Sequence, residues 1–364
     1  MSTKNSLFST IQVGRMSLAN RIVMAPMTRS RAASGDLSSD LHVEYYGQRA
    51  GAGLIITEGT QPSQNGKGYC RTPGIYNAEQ VAAWAQVTKA VHGKGGKIVL
   101  QIMHCGRVAS HLNKDADTET IAPSAITARG KIYTEEGMRP LDPPRAMTRE
   151  EIPVVIEEYR QATENAYLAG FDGVELHCTS GYLPAQFLSS GSNQRNDEYG
   201  GNVVNRVRFA IEVLEAMSSV DGADRVGMRI CPDNPFNDLY DEDPEQTFSE
   251  LLSRADALGL AYLHVIRFPT GRVDNLALAR RCFSGAIIAN DSYERSEAEA
   301  AIMAGEADMV SFGRAFIANP DLPDRFRTGA DLAEFDMRTL YAAGPEGYTD
   351  YPLALDDDRG SVSE

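Results

Sequence analysis

Residues 285–313 read GAIIANDSYERSEAEAAIMAGEADMVSFG, and the fold turns on how this stretch divides. GAIIAN (285–290) and MVSFG (309–313) are short, near-continuous apolar runs. They lack the polar alternation of a half-exposed strand, so they read as strands of a parallel sheet covered on both faces. Between them, residues 294–304 carry apolar side chains at helical spacing, and Gly305 follows as a C-cap glycine does. Strand, helix and strand in this order make one βαβ unit.

The same division recurs upstream. RIVMAPM (21–27), GLIITEG (53–59), KIVLQIM (97–103), GVELHC (173–178), RVGMRIC (225–231) and YLHVIR (262–267) are further strand candidates. Helical patterns cover 78–92, 149–168, 202–217 and 244–258, and Gly170 and Gly259 stand where the second and fourth end. At 364 residues the length alone suggests two domains. Eight evenly spaced βα units predict instead a single (β/α)8 TIM barrel. An open doubly wound sheet is disfavoured because no G-x-G-x-x-G follows a strand. Residues 110–145 are too long and irregular for a plain βα loop and are expected to form a lid or hairpin over the barrel mouth. The predicted domain spans 1–352, followed by an acidic tail at 353–364 whose last ten residues are expected to be mobile.

Composition narrows the function. Lys and Arg total 35 against 50 Asp and Glu, a formal net charge of −15, which repels phosphate backbones and anionic lipid. Nucleic acid and membrane surfaces are therefore not expected partners. The start of the chain has no apolar run suited to a signal peptide, and no stretch is long enough to span a membrane. Cys70, Cys105, Cys178, Cys231 and Cys282 are scattered, with no C-x-x-C pair, so neither a disulfide framework nor a metal site is expected and a reducing cytoplasm fits.

In a (β/α)8 barrel the active site lies at the C-terminal ends of the strands. Those ends carry Pro26-Met27-Thr28, Glu58-Gly59, Gln101 with His104-Cys105-Gly106-Arg107, His177 followed by Ser180 and Tyr182, Arg229, Asn290-Asp291-Ser292, and Gly313-Arg314. The loops after strands seven and eight form the usual phosphate cradle of this fold, and Gly313-Arg314 stands there. Arg229, in the middle of an apolar strand, is either an anchor for an anionic ligand or half of an internal ion pair with Glu58 or Glu175. The His104-Cys105 and His177-Cys178 steps give one metal ligand at most, because neighbouring strand residues face opposite sides.

These residues bring a family into view. NRIVMAPMTR (20–29), EYYGQRAGAGLIITE (44–58), QIMHCGR (101–107), HCTSGYLPAQFLSSGSNQRNDEYGG (177–201), SFGRAFIANPDL (311–322) and EGYTDYP (346–352) resemble, in order, motifs of the Old Yellow Enzyme family. That family consists of FMN-dependent ene-reductases built on a (β/α)8 barrel. The resemblance implies FMN as cofactor and NAD(P)H as reductant. The expected activity is reduction of activated C=C bonds in α,β-unsaturated carbonyl or nitro compounds, in a ping-pong cycle.

The resemblance also distributes roles. Thr28 matches the residue beside the reactive edge of the flavin, while Pro26, Met27 and Gly59 match contacts to its ring. Gln101 matches the amide that reads the pyrimidine end. Arg229 matches a cation that stabilises negative charge on the reduced ring. Asn290, Asp291, Ser292, Gly313 and Arg314 match the phosphate site, although Asp291 stands where glycine is common. Tyr182 matches the proton donor. Tyr69, Met103 and Tyr348 match the substrate pocket, Met103 replacing a more usual aromatic. His177 is the first member of a substrate-anchoring pair whose second member is ordinarily Asn or His and is here Ser180. That departure keeps two other activities open: reduction of nitro groups or nitrate esters, and double-bond isomerisation. A flavin-binding protein with poor catalysis is the reading outside enzymology. The oligomeric state, monomer or dimer, is open.

Overall fold

The computed structural model describes residues 6–354; the mobility expected of the last ten residues falls outside them. Eight parallel strands close into a barrel in chain order: β1 (Ile22–Met24), β2 (Leu54–Ile56), β3 (Ile98–Ile102), β4 (Gly173–His177), β5 (Val226–Ile230), β6 (Tyr262–Ile266), β7 (Ala286–Asn290) and β8 (Met309–Phe312). Closure is made by β8 against β1, with Ser311 opposite Val23. Each strand lies inside one of the eight apolar runs read from the sequence.

The connecting helices start where side chains satisfy the first free backbone N–H groups. Asn77 caps Ala78–His92 by accepting from Gln80 N, Asn202 caps Val203–Asp221 by accepting from Asn205 N, and Asp243 caps Pro244–Leu258 by accepting from Gln246 N. Gly170, Gly259 and Gly305 all take positive φ at helix ends, as expected. Three predicted helices begin one or two residues later than their patterns suggest, at Glu151, Val203 and Arg295; before the last, Glu294 takes the cap position and completes a capping box with Glu297.

The barrel interior divides into two zones. Its lower half is apolar: Val23, Leu54, Ile56, Val99, Tyr262, Ile288 and Met309 pack together. A small antiparallel hairpin, Ile11–Val13 with Met16–Leu18, joins that cluster and plugs the bottom. Its upper half is polar, because alternate residues of otherwise apolar strands turn inward. Glu175 and His177 share a face with Arg229 and His264, since strand register sets Gln101 opposite Glu175, His177 opposite Arg229, and Arg229 opposite His264. Between the zones, Gly227 leaves room for the Tyr262 ring. A Cβ there would stand 2.2 Å from Cζ and 2.4 Å from Cε2. Gly227→Ala is expected to destabilise the fold by about 1–3 kcal/mol through overpacking, read as a lower denaturation midpoint; an unchanged midpoint would show that the ring moves freely.

The 110–145 segment does contain a hairpin, Lys131–Thr134 paired with Gly137–Pro140. Its Ala128, Ile132 and Leu141 pack on Met103, Cys105, Val108 and Tyr182 at the end of β3 and beyond β4. The segment is therefore seated on the barrel mouth. Arg145 at its base bonds both Glu119 and Glu151, at 2.6 and 2.7 Å.

Candidate active site

A cavity of 350 Å³ opens at the C-terminal ends of β1, β5, β7 and β8. Nine of the eleven predicted cofactor residues line it: Pro26, Met27, Thr28, Arg229, Asn290, Asp291, Ser292, Gly313 and Arg314. Gln101 and Gly59 do not. Gln101 lies in the polar upper interior, and Gly59 lies under Met103, whose Sδ and Cε would be 2.5 Å from a Cβ at that position.

Arg229 is nearly buried and donates through Nη2 to Asn290 Oδ1 at 2.7 Å. Asn290 is held in that orientation because its Nδ2 donates to the Ser311 carbonyl. Neither ion pair considered for Arg229 forms as a direct contact among the described residues. Glu58 instead faces His42 at 3.3 Å, and Glu175 acts on Arg229 only through its charge. Burial lowers the Arg229 guanidinium from its ordinary range, and the Glu175 charge works against that.

At the solvent-exposed rim of the cavity, Arg314 reaches Ser292 Oγ at 3.2 Å. Asp291 has φ +90° and Ser292 φ +54°, backbone that favours glycine. The Asp291 carboxylate accepts from Ser292 Oγ at 3.2 Å, and its carbonyl accepts from Arg267 Nε.

Above β4, the predicted catalytic residues do come together. The Tyr182 ring stands edge-on to the His177 ring with centroids 4.7 Å apart. Its hydroxyl hydrogen-bonds that of Tyr69 at 3.0 Å. Burial holds the Tyr182 phenol well above its ordinary value and pushes Tyr69 up to about 12, so both are protonated at neutral pH. Burial, followed by the charges of Arg229 and His264, holds His177 well below the usual histidine range. It is therefore a neutral imidazole with one N–H to give. Ser180 adopts φ +57°, the left-handed region in which Asn is most at ease.

Two contributors escaped the sequence reading. Asn237, in the loop after β5, donates through Nδ2 to the Ser180 carbonyl at 2.7 Å and also hydrogen-bonds Tyr69. Tyr341 lines the cavity together with Leu340. Tyr341 also corrects an expectation, because Tyr348 does not face the pocket. Tyr348 is fully buried, stacked on Tyr45 at 4.0 Å with the Arg31 guanidinium 4.7 Å from its ring centre. Arg31 and Arg29 clamp the backbone around it through the carbonyls of Thr339, Leu340 and Gly347. The EGYTDYP motif thus anchors the segment that presents Tyr341.

The site suits FMN on its own geometry. A cavity-wall cation, Arg229, has a buried Nε without a partner, and so does His177 Nδ1, which leaves unspent hydrogen-bonding capacity at the barrel mouth. A second cation, Arg314, stands at the exposed rim of the same cavity beside the Ser292 hydroxyl, as a phosphate requires.

Known proteins agree. A family model described as NADH:flavin oxidoreductase / NADH oxidase matches residues 6–333. A 12-oxophytodienoate reductase 7 of Oryza sativa subsp. japonica is 42% identical, over 95% of this chain and 94% of its own. A probable flavin mononucleotide-dependent alkene reductase of Leishmania infantum is 41% identical, over 95% and 97%. Among solved structures, morphinone reductase superposes with a TM-score of 0.93 at 43% identity, covering 99% of both chains. An Old Yellow Enzyme homologue from Zymomonas mobilis gives 0.92 at 40% identity, covering 96% of this chain and 99% of that one. Fold and site define an FMN-dependent oxidoreductase on a (β/α)8 barrel. More particularly, the chain belongs to the NADH:flavin oxidoreductase / NADH oxidase family, the Old Yellow Enzyme group.

Proposed function

We propose that this enzyme reduces C=C bonds activated by a carbonyl or nitro group, with NAD(P)H and the alkene using one site in turn. The observation that supports this reading best is the neutral His177 imidazole beside the protonated Tyr182 phenol, ring centres 4.7 Å apart. When bound, FMN supplies two-electron hydride chemistry.

The chain supplies the rest. The His177 N–H holds the carbonyl or nitro oxygen and draws charge toward it, which leaves the β-carbon electron-poor. Ser180 contributes a shorter hydroxyl donor from the same turn, reaching that oxygen directly or through water. Tyr182 passes its phenolic proton to the α-carbon, and solvent restores that proton. Arg229 keeps a fixed positive charge where negative charge accumulates at the ring edge. Met103 and the hairpin of the 110–145 segment cover the mouth and limit water.

The reading is tested by supplying NADH or NADPH with 2-cyclohexenone, maleimide or a nitroalkene under anaerobic conditions. The expected result is alkene-dependent oxidation of the nicotinamide with recovery of the saturated product. Oxidation without any saturated product would overturn it. The Ser180 position gives a sharper check. Because the backbone at 180 already suits Asn, Ser180→Asn is expected to fold normally and raise kcat/KM for 2-cyclohexenone by about tenfold or more, a fraction of the 10²–10³ that one donor to developing charge is worth. An unchanged or lower kcat/KM would show that Ser180 is not the weak partner.

A further inference from the structure

The interior of a (β/α)8 barrel is ordinarily filled by branched apolar side chains. Here a line of four polar side chains crosses it, all of them at most 2% exposed: Gln101, Glu175, His264 and Ser311. Gln101 Nε2 donates to Glu175 Oε1 at 2.7 Å. The other carboxylate oxygen is 3.0 Å from His264 Nδ1, and His264 Nε2 is 2.8 Å from Ser311 Oγ. Glu175 and His264 stand outside the wall of the cofactor cavity. A buried carboxylate is costly unless it is well partnered, so this one calls for an explanation.

The chemistry of the four groups orders the protons. Burial works to raise the Glu175 carboxyl, but the hydrogen bonds it accepts from His264 and the Gln101 amide and the charge of Arg229 outweigh it, leaving Glu175 ionised. Burial keeps His264 neutral against the pull of Glu175. A carboxylate only accepts, so the single N–H of His264 sits on Nδ1 and Nε2 accepts from the Ser311 hydroxyl. Every proton in the line points toward Glu175. Gln101 is then left one choice. Its two amide ends have almost the same shape, so packing cannot distinguish them. Turning it over would set its oxygen against a carboxylate oxygen and leave two buried acceptors facing each other. Gln101 must give an N–H to Glu175, and its carbonyl oxygen is turned away from it.

We infer that Glu175, braced by His264 and Ser311, is a positioning residue that fixes the orientation of the Gln101 amide and so the donor–acceptor pattern shown to the pyrimidine edge of FMN. That edge is an N–H between two carbonyls, and an amide set against the N–H and one of them matches it one way round. The inference rests on FMN occupying the cavity above this layer with its pyrimidine edge toward Gln101.

The test is nuclear magnetic resonance of FMN isotopically labelled at the pyrimidine N–H, bound to the full chain, alongside FMN titrations. In the wild type that proton is expected downfield and protected from exchange. Glu175→Gln lets the side chain at 175 give or accept, so the Gln101 amide is no longer held. Its resonance should move upfield, exchange should quicken by about tenfold or more, and the FMN dissociation constant should rise about 10–100-fold, the range for a charge-assisted hydrogen bond. His264→Gln keeps an N–H for Glu175 and should retain the wild-type resonance. His264→Leu removes that donor and should reproduce Glu175→Gln. A purely structural role would weaken FMN in Glu175→Gln while leaving the resonance in place, and that result overturns the inference. If Glu175→Gln does not fold, the two His264 variants decide, and equal resonances in them also overturn it. A wild type that fails to bind FMN, or whose labelled proton exchanges as freely as in solution, would instead count against the cofactor placement itself.

Discussion

Replacing Tyr182 with Phe is expected to slow alkene reduction by about 10²–10⁴-fold, the range a positioned general acid contributes. Reduction of the enzyme by NAD(P)H should change by less than about threefold, because that half of the cycle asks for no proton from the phenol. The substitution removes the hydroxyl that bonds Tyr69 at 3.0 Å but keeps the ring that packs on His177. The oxygen anchor therefore stays in place, and the loss falls on protonation rather than on binding. The pH dependence carries a sign as well. Burial holds the Tyr182 phenol well above its ordinary value, so it stays protonated through neutral and moderately alkaline solution. The wild-type alkene step should accordingly show no alkaline fall attributable to this group below its ordinary pKa of about 10. Stopped-flow traces of the two half-reactions in both proteins settle the matter. Equal loss in both halves, or in neither, removes Tyr182 from the role of proton donor.

The second large effect concerns the cofactor. Arg229→Met exchanges a nearly buried guanidinium for an uncharged side chain of comparable length and leaves Asn290 without its 2.7 Å partner. A hydrogen bond to a charged group is worth about 1.5–3 kcal/mol, which corresponds to a 10–100-fold rise in the FMN dissociation constant. Stability of the apoprotein should stay about level, because relief from burying one charge offsets the partners that Asn290 and Glu175 lose. Fluorescence titration with FMN and thermal denaturation of the apoprotein give the two numbers. Loss of fold in the apoprotein would mark Arg229 as structural, and an unchanged dissociation constant would remove it from the cofactor site.

The barrel was legible because strand and helix periods differ. Runs such as GAIIAN and MVSFG, separated by a helical pattern and a glycine, leave few ways to fold. Much of the site was legible for a related reason, since residues at strand ends converge in this architecture whatever their separation in the chain. The remainder depends on packing with no periodic trace. The loop that carries Asn237 places residues 237 and 238 at positive φ and is tied down by Arg107, whose Nη2 donates to the Asp238 carbonyl at 2.6 Å. Tyr348 matches an aromatic pocket position of the family, yet it stacks on Tyr45 with the Arg29 and Arg31 guanidinium groups against its ring. Tyr341, seven positions earlier in irregular chain, carries no comparable signal. The Gln101–Glu175–His264–Ser311 line joins four strands far apart in sequence. Read singly, those residues are polar interruptions in apolar runs; only the barrel register shows that they face one another.

The most direct measurement begins with the purified enzyme loaded with FMN under anaerobic conditions. NADH or NADPH is added until the flavin absorbance is bleached, and the reduced enzyme is then mixed rapidly with 2-cyclohexenone, maleimide or a nitroalkene. At least one of these is expected to restore the absorbance far faster than buffer does, with saturated product formed in equal amount to the flavin reoxidised. Reoxidation no faster with any of them than without an acceptor would contradict the proposed alkene reduction.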